Sequence, residues 1–256
     1  MDETLATARP TALITGASRQ KGIGAAIVKA LAGSGWNVAT TYWRPFDVEV
    51  SPPSPAPEAT EILVEAEAMG ARTFGLEADL TDTSAPERIF DAAEHEVGPV
   101  TALIMSHGYD VDSDILSTSI EAFDRHFAVN TRASWLLIRE FGRRFQGPYG
   151  RGRIIALTSD ATVDNIPYGA SKGALDRITL AAAREFRHLG VTANAVNPGP
   201  TDTGWMTDGL REELPRQTPL GRLGMPLDCA NLVRFLCSDE GGWINGQLLK
   251  SDGGIN

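Results

Sequence analysis

The chain has 256 residues, with 23 Lys+Arg against 33 Asp+Glu and a formal net charge of −10. That balance argues against sequence-independent binding to phosphate backbones, which needs a basic face, and 42% hydrophobic with 22% charged residues excludes a largely disordered chain. The opening MDETLATARP lacks the apolar stretch of a secretory signal, no apolar run is long enough to span a bilayer, and the two cysteines, Cys229 and Cys237, form neither a disulfide framework nor a metal site, so a soluble, cytoplasmic protein that binds neither nucleic acid nor membrane is expected.

Short apolar strands alternate with helical patterns along the chain. Strands are predicted at Ala12–Thr15, Asn37–Tyr42, Arg72–Glu77, Val100–Met105, Ile154–Thr158, Thr192–Val196 and Gln247–Lys250. Helices are predicted near 23–33, 58–69, 85–97, 121–145, 168–189 and 227–237. Near-continuous apolar strands mean burial on both faces, hence a parallel sheet covered by helices on both sides. Right-handed crossovers then leave a single doubly wound α/β domain over 1–256, a Rossmann fold of about seven strands. Two segments break the rhythm. Residues 44–57 (RPFDVEVSPPSPAP) carry five prolines and are read as a surface loop. The stretch 199–219, rich in Pro, Gly and Thr, follows the carboxyl end of the sixth strand, where such sheets bind ligands; it is either a substrate lid or a plain connection.

Directly after the first strand stands Thr15-Gly16-Ala17-Ser18-Arg19-Gln20-Lys21-Gly22-Ile23-Gly24, running into Ala25-Ala26-Ile27-Val28. Glycines let the backbone approach a phosphate, and the helix that follows aims unpaired N–H groups and its positive end at the anion. Further on, Tyr168-Gly169-Ala170-Ser171-Lys172 places Tyr168 and Lys172 one turn apart on one helix face. A free phenol titrates near 10, and a neighbouring ammonium favours the phenolate and draws that value toward neutrality. Tyr168 could then act as general acid to a carbonyl oxygen. With four Tyr and four Lys in the whole chain, this spacing is not expected by chance.

These motifs resemble the short-chain dehydrogenase/reductase family, in particular its 3-oxoacyl-[acyl-carrier-protein] reductase-like ketoreductases, over nearly the whole chain. The resemblance implies cofactor contacts from Gly16, Ser18, Arg19, Gly22, Ile23 and Gly24 at the phosphates, and from Asp79 and Leu80 at the adenine. Asp79 also suits a helix N-terminus. It further implies contacts from Ser106 and Gly108 after the fourth strand, from Pro198, Gly199, Thr201 and Thr203 near the nicotinamide carboxamide, and from Tyr168 and Lys172 at the nicotinamide ribose. Ser159 is implied to orient the substrate carbonyl, with Thr158 in reserve, and Asn130 to hold a proton-relay water unless it is an ordinary buried amide bonded to backbone. A homotetramer or homodimer through the last helix and strand is also implied.

Three departures favour a specialised member over the fatty-acid enzyme. Gly16 and Gly22 enclose five residues where the family has three. Ser159 and Tyr168 stand nine apart where the family has about 13. Of the family's Asn-Asn-Ala-Gly, the segment Met105-Ser106-His107-Gly108 keeps only Gly108, and His107 is either a proton-transfer group or a packed residue. The end of the second strand, Thr41-Tyr42-Trp43-Arg44, shows no acid before Asp47, whereas NAD sites place one there for the ribose 2′-OH. Arg19, Lys21 and Arg44 would instead attract a 2′-phosphate, so NADPH is expected over NADH. His95, His126 and His188 lack metal-ligand partners, and no metal is expected. Tyr109, Trp205, Met206 and Leu210 point to an apolar or aromatic substrate, or else to packing within the lid.

The expected function is NADPH-dependent reduction of a ketone, a 3-oxoacyl thioester or secondary-metabolite ketone, to a secondary alcohol. The alternatives are an NAD-dependent alcohol dehydrogenase and a non-catalytic nucleotide-binding scaffold. A scaffold would be expected to lose the Tyr or the Lys, and both are present.

Overall fold

Seven apolar runs pair into one parallel sheet. The computed structural model describes residues 9–50, 58–163 and 165–255. The strands are β1 (Thr11–Thr15), β2 (Asn37–Tyr42), β3 (Thr73–Glu77), β4 (Val100–Met105), β5 (Arg153–Leu157), β6 (Thr192–Asn197) and β7 (Leu248–Lys250). Their order is β3-β2-β1-β4-β5-β6-β7, with every pairing parallel. Every residue of β1, β5 and β6 is buried, as strands covered on both faces require.

The helices described are α1 (Ile23–Ala32), α2 (Arg44–Val50), α3 (Glu58–Ala68), α4 (Ala85–Val97), α5 (Ile120–His126), α6 (Ser134–Arg144), α7 (Ile166–Glu185), α8 (Asp208–Gln217) and α9 (Pro226–Cys237). Successive strand residues point to opposite faces, and neighbours in β1 accordingly enter different cores. Leu13 packs with Leu103, Phe90, Leu137, Phe141 and Leu175 beneath α4, α6 and α7. Ile14 packs with Ile27, Leu31, Ile62, Ile104 and Val233 beneath α1, α3 and α9. Each such side chain stabilises the fold by roughly 1.5–3 kcal/mol on burial. The chain runs outward from β1 to β3 and then returns to β4 on the other side of β1. That reversal splays the connections and opens a crevice at the carboxyl ends of β1 and β4.

Four expectations are corrected. The proline-rich stretch is not a loop throughout, because Arg44–Val50 form α2. Pro45 stands in its first turn, where a fixed φ and a missing N–H cost nothing, and residues 51–57 lie outside the described residues. The stretch 199–219 contains α8, capped by the Thr207 side chain. Gly199, Pro200 and Gly204 precede the helix, which forms in spite of Gly209 and Pro215 within it. The helix expected over 121–145 is interrupted by a π-helical turn, Phe127–Ala133. Finally, α7 starts at Ile166 and passes into a 3₁₀ turn, Phe186–Leu189. Among the described residues, no helix is long and apolar enough to cross a membrane.

Candidate active site

A cavity of about 550 Å³ opens at the carboxyl edge of the sheet. Of the predicted catalytic and cofactor-contact residues it gathers all but Lys21, Arg44 and Asn130.

Backbone dominates its phosphate end. Gly16 has φ +75°, and a Cβ there would stand 2.6 Å from His107 Cα. A Cβ on Gly24 would lie 2.6 Å from the Gly16 carbonyl oxygen. The loop, β4 and α1 therefore meet only because both positions lack side chains. Gly22 caps α1 without any side-chain hydrogen bond, and the first turn holds no acid. Gly22, Ile23 and Gly24 line the cavity; the Gly22 N–H donates to the Arg19 carbonyl at 2.9 Å, and the N–H groups of Ile23 and Gly24 at the positive helix end fit a pyrophosphate. Within the lengthened loop Gln20 turns toward α3 and α1. Gln20 N–H donates to Glu58 Oε2 at 2.6 Å, and the Gln20 side chain bonds Glu65 and Lys29 at 2.9 and 2.7 Å.

The charges around the ribose differ from expectation. Arg19 lies in the cavity wall, its guanidinium 3.7 Å from the Trp205 ring centroid and its Nη1 donating to the Thr203 carbonyl at 3.1 Å. Arg44 instead pairs with Glu77 at the end of β3, its Nε donating to Oε2 at 2.9 Å, and its side chain is exposed. Lys21 does not line the cavity, whereas Asp47 does, accepting from Ser18 Oγ at 3.0 Å. Burial pushes the Asp47 carboxyl above its ordinary value. The cause is α2, whose winding carries Arg44 away and brings Asp47 in. Beyond β3, Asp79 accepts from Thr81 N–H and Oγ1, both at 2.8 Å, which fixes the turn beside Leu80.

Side chains dominate the other end. Lys172 is buried, and its Nζ donates to the carbonyls of Leu157 at 2.9 Å and His107 at 3.4 Å. Burial draws its pKa down to about 8. Tyr168 lines the cavity one turn earlier, its ring centroid 5.6 Å from that Nζ. Its phenol is held above its ordinary value, by burial and by the charge of Asp110, opposite to the sequence expectation. The ammonium is aimed at two carbonyls, and the carboxylate acts against it.

Ser159 Oγ accepts from Ala161 N–H at 3.1 Å, so the hydroxyl hydrogen remains available for a carbonyl oxygen. Thr158 is already spent, donating to the Lys172 carbonyl at 3.4 Å. The short Ser159–Tyr168 connection lies directly on α7, where a Cβ at Gly169 would stand 1.9 Å from the Ala161 carbonyl oxygen.

Asn130, in the π-helical turn, lies fully buried behind the cavity. Its Oδ1 accepts from Tyr109 N–H at 2.7 Å, and its Nδ2 donates to the Tyr109 carbonyl and Ser171 Oγ, both at 2.9 Å. The amide is thus a clamp between the loop after β4 and α7. His107 is also structural. Its Nδ1 lies 2.6 Å from Thr15 Oγ1, and its Nε2 lies 3.1 Å from the Val129 carbonyl and 3.2 Å from Ser134 Oγ. Burial, helped by the charge of Lys172, holds it neutral with a pKa near 3. The Val129 carbonyl can only accept, so Nε2 carries the hydrogen and Nδ1 accepts from Thr15. Cys229 and Cys237 are buried on α9, their thiols pushed up to about 12.

Of the predicted aromatic wall, Tyr109 and Trp205 line the cavity, whereas Met206 and Leu210 do not. Sequence reasoning missed Phe46, Asp110 and Asn165, which also line it. An acid two residues past Gly108 is a signal that could have found Asp110; Phe46 and Asn165 gave none.

A family model described as enoyl-(acyl carrier protein) reductase matches residues 16–256. Uncharacterized oxidoreductase YjdA of Bacillus subtilis (strain 168) is 39% identical over 95% of this chain and 96% of its own. The NADPH-dependent aldehyde reductase-like protein, chloroplastic, of Arabidopsis thaliana is 38% identical over 95% of this chain and 93% of its own. The crystal structure of a short chain dehydrogenase from Burkholderia cenocepacia J2315 in complex with NADP superposes with a TM-score of 0.85 at 32% identity, covering 96% of this chain and 98% of that one.

Proposed function

The chain belongs to the short-chain dehydrogenase/reductase family, and from that premise we propose that it reduces a ketone to a secondary alcohol with NADPH, Tyr168 supplying the proton. The observation that carries this reading is that Tyr168, Lys172 and Ser159 line the same cavity as the glycine loop and the uncapped start of α1. When bound, the cofactor supplies the hydride and, once oxidised, a positive charge that favours the phenolate.

The chain's own groups supply the rest. The N–H groups of Ile23 and Gly24 hold the pyrophosphate, the Gly22 N–H being spent on the Arg19 carbonyl, and Arg19 meets the 2′-phosphate through its planar fork. Ser159 donates its hydroxyl hydrogen to the substrate carbonyl oxygen, which orients and polarises it. Tyr168, kept protonated by burial and by Asp110, gives its proton to that oxygen as negative charge develops there. Lys172, at a pKa of about 8, carries positive charge at neutral pH and offsets the phenolate left behind. Asn130 keeps Tyr109 and α7 in register, so the wall facing the substrate is fixed.

The NADPH relative and the NADP-bound neighbour support the choice of cofactor. A second reading, NAD-dependent alcohol oxidation, rests on Asp47, which stands in the cavity where an acid could accept from a ribose 2′-OH. Exposed Phe235, Trp243 and Leu248 on and after α9 support pairing between copies. The test is oxidation of NADPH and NADH over a panel of carbonyl compounds, with Tyr168→Phe alongside. Turnover with NADPH should fall about 10²–10⁴-fold in the variant, while NADPH affinity stays within about threefold. A preference for NADH would transfer the assignment to the second reading, and undiminished turnover in the variant would end the role of Tyr168.

A further inference from the structure

We propose that Asp110, held by Asn165, forms a recognition subsite for a hydroxyl group, so that the substrate is a hydroxylated carbonyl compound; this rests on the reductase reading of the same cavity. Both residues line that cavity. Asn165 Nδ2 donates to Asp110 Oδ1 at 2.9 Å, and Oδ2 accepts no bond among the described residues. Asn165 Oδ1 lies out of solvent and also has no donor among the described residues. Asn165 Oδ1 is closed off from the cavity, so the acceptor that a bound donor reaches is Asp110 Oδ2 in the cavity wall.

The pair is firmly built. Asn130 clamps both backbone groups of Tyr109, the residue before Asp110, at 2.7 and 2.9 Å. His126 Nε2 accepts from Val111 N–H, the residue after it, at 3.2 Å. On the other side, Ser113 and Asn165 pair as an isolated bridge, and Ile166 N–H donates to the Ser113 carbonyl at 3.3 Å. Two chain segments 55 residues apart in sequence are thus pinned so that the amide can hold the carboxylate.

Position and charge define the ligand. Asp110 lines the same cavity as Tyr168, Lys172 and Ser159, and its charge acts on the first two. Tyr109 and Phe46, with ring centroids 5.3 Å apart, supply the apolar wall beside it. An ionised carboxylate only accepts, so it recognises a donor. Burial pushes the Asp110 carboxyl up, and the Asn165 bond and the charges of His126 and Lys172 act against it, so a neutral hydroxyl completes the site without adding charge. A site built to bond a hydroxyl discriminates strongly against an analogue without it, because its polar group is then buried unpaired.

The experiment compares three aryl ketones with the same skeleton, 2-hydroxyacetophenone, propiophenone and 2-aminoacetophenone, with NADPH and wild type, Asp110→Leu and Asp110→Asn. The hydroxyketone should exceed propiophenone in kcat/KM by about 30–100-fold in wild type. Asp110→Leu should bring the two within about threefold, and Asp110→Asn, which keeps an acceptor oxygen, should fall between. Alongside, calorimetric titration of 1-phenyl-1,2-ethanediol and 1-phenylpropanol into each protein with NADP+ reads the subsite without turnover. There the diol should bind wild type about tenfold more tightly, and equally in Asp110→Leu. Tyr168-dependent turnover with no hydroxyl preference overturns the subsite and leaves the reductase reading standing. Diol selectivity lost in Asp110→Leu, without turnover of any ketone, supports the subsite and overturns the reductase reading. A preference for the aminoketone assigns the carboxylate to an ammonium and overturns the hydroxyl.

Discussion

At the phosphate end of the cavity the working groups are backbone N–H groups, and at the reaction end they are side chains held mostly by backbone groups of other segments. The first end depends on what is missing: a Cβ on Gly16 or Gly24 would come within 2.6 Å of backbone. The second depends on what is tied, since Lys172, Asn130, Ser159 and Asp110 each make a hydrogen bond within the protein. One is therefore governed by shape and the other by electrostatics, and only the second should respond to pH. They meet at His107, whose ring bonds Thr15 at the end of β1 and whose backbone packs on Gly16.

The largest effect should come from breaking that junction electrostatically. His107 titrates near 3 in the fold against an ordinary 6.5. Between those values the unfolded chain binds a proton that the folded chain refuses, so stability is lost as pH falls from 6.5 toward 3. The full loss is up to about 5 kcal/mol. His107→Gln removes it. Urea denaturation at pH 7 and pH 4.5 should show wild type losing roughly 2–3 kcal/mol more than the variant between the two. Asp47, Asp110 and Asp176, whose carboxyls burial raises, act in the opposite direction but are common to both proteins. Equal losses would mean that the ring is neither buried nor neutral as described.

The same junction can be broken by shape. Gly16→Ala places a Cβ 2.6 Å from His107 Cα at a φ of +75°. Backbone must move, and NADPH affinity should weaken about 100-fold, near 2.7 kcal/mol, by the same factor at pH 6 and pH 8. Gly173→Ala is the control, since on α7 a Cβ there meets nothing within 4 Å. It should leave affinity unchanged and stabilise the fold by about 0.5–1 kcal/mol. A pH-dependent loss in Gly16→Ala, or affinity within about threefold of wild type, would undo the division into a steric and an electrostatic end.

How much of this was legible in the sequence follows the same division. The strand succession and the glycine loop were readable because shape is written locally, as apolar runs and as glycines at a strand–helix junction. Tyr168 and Lys172 were readable because one helical turn encodes their proximity. Partners across the fold were not. Arg44 and Glu77 meet over 33 residues and Asp110 and Asn165 over 55, and neither encounter has a local pattern. The π-helical turn has none either, since its sequence FAVNTRA reads as ordinary helix. In 44–57 the prolines outweighed the helix that Arg44–Val50 form, and that hid the place of Asp47 in the cavity wall. Asn130 and His107 were found as residues, but what they bond, and hence what they do, came only from the packing around them.

Arg19 and Asp47 are the place where the comparison is least clean, because they put charge into the end governed by shape. Stacking on Trp205 and the bond to Thr203 hold the guanidinium in the cavity wall before any ligand arrives, so little rotamer freedom remains to be lost on meeting a 2′-phosphate. Asp47, on the same wall, repels that phosphate and accepts from a 2′-hydroxyl. The two residues should therefore move cofactor preference in opposite directions. Arg19→Ala should raise KM for NADPH about tenfold, near 1.4 kcal/mol, and leave NADH within about twofold. Asp47→Asn should widen the preference for NADPH about threefold, a smaller step because one carboxylate oxygen already accepts from Ser18 Oγ. If Arg19→Ala weakened both cofactors equally, the arginine would serve to hold the loop against Thr203 and Trp205, and the phosphate end would be governed by shape throughout.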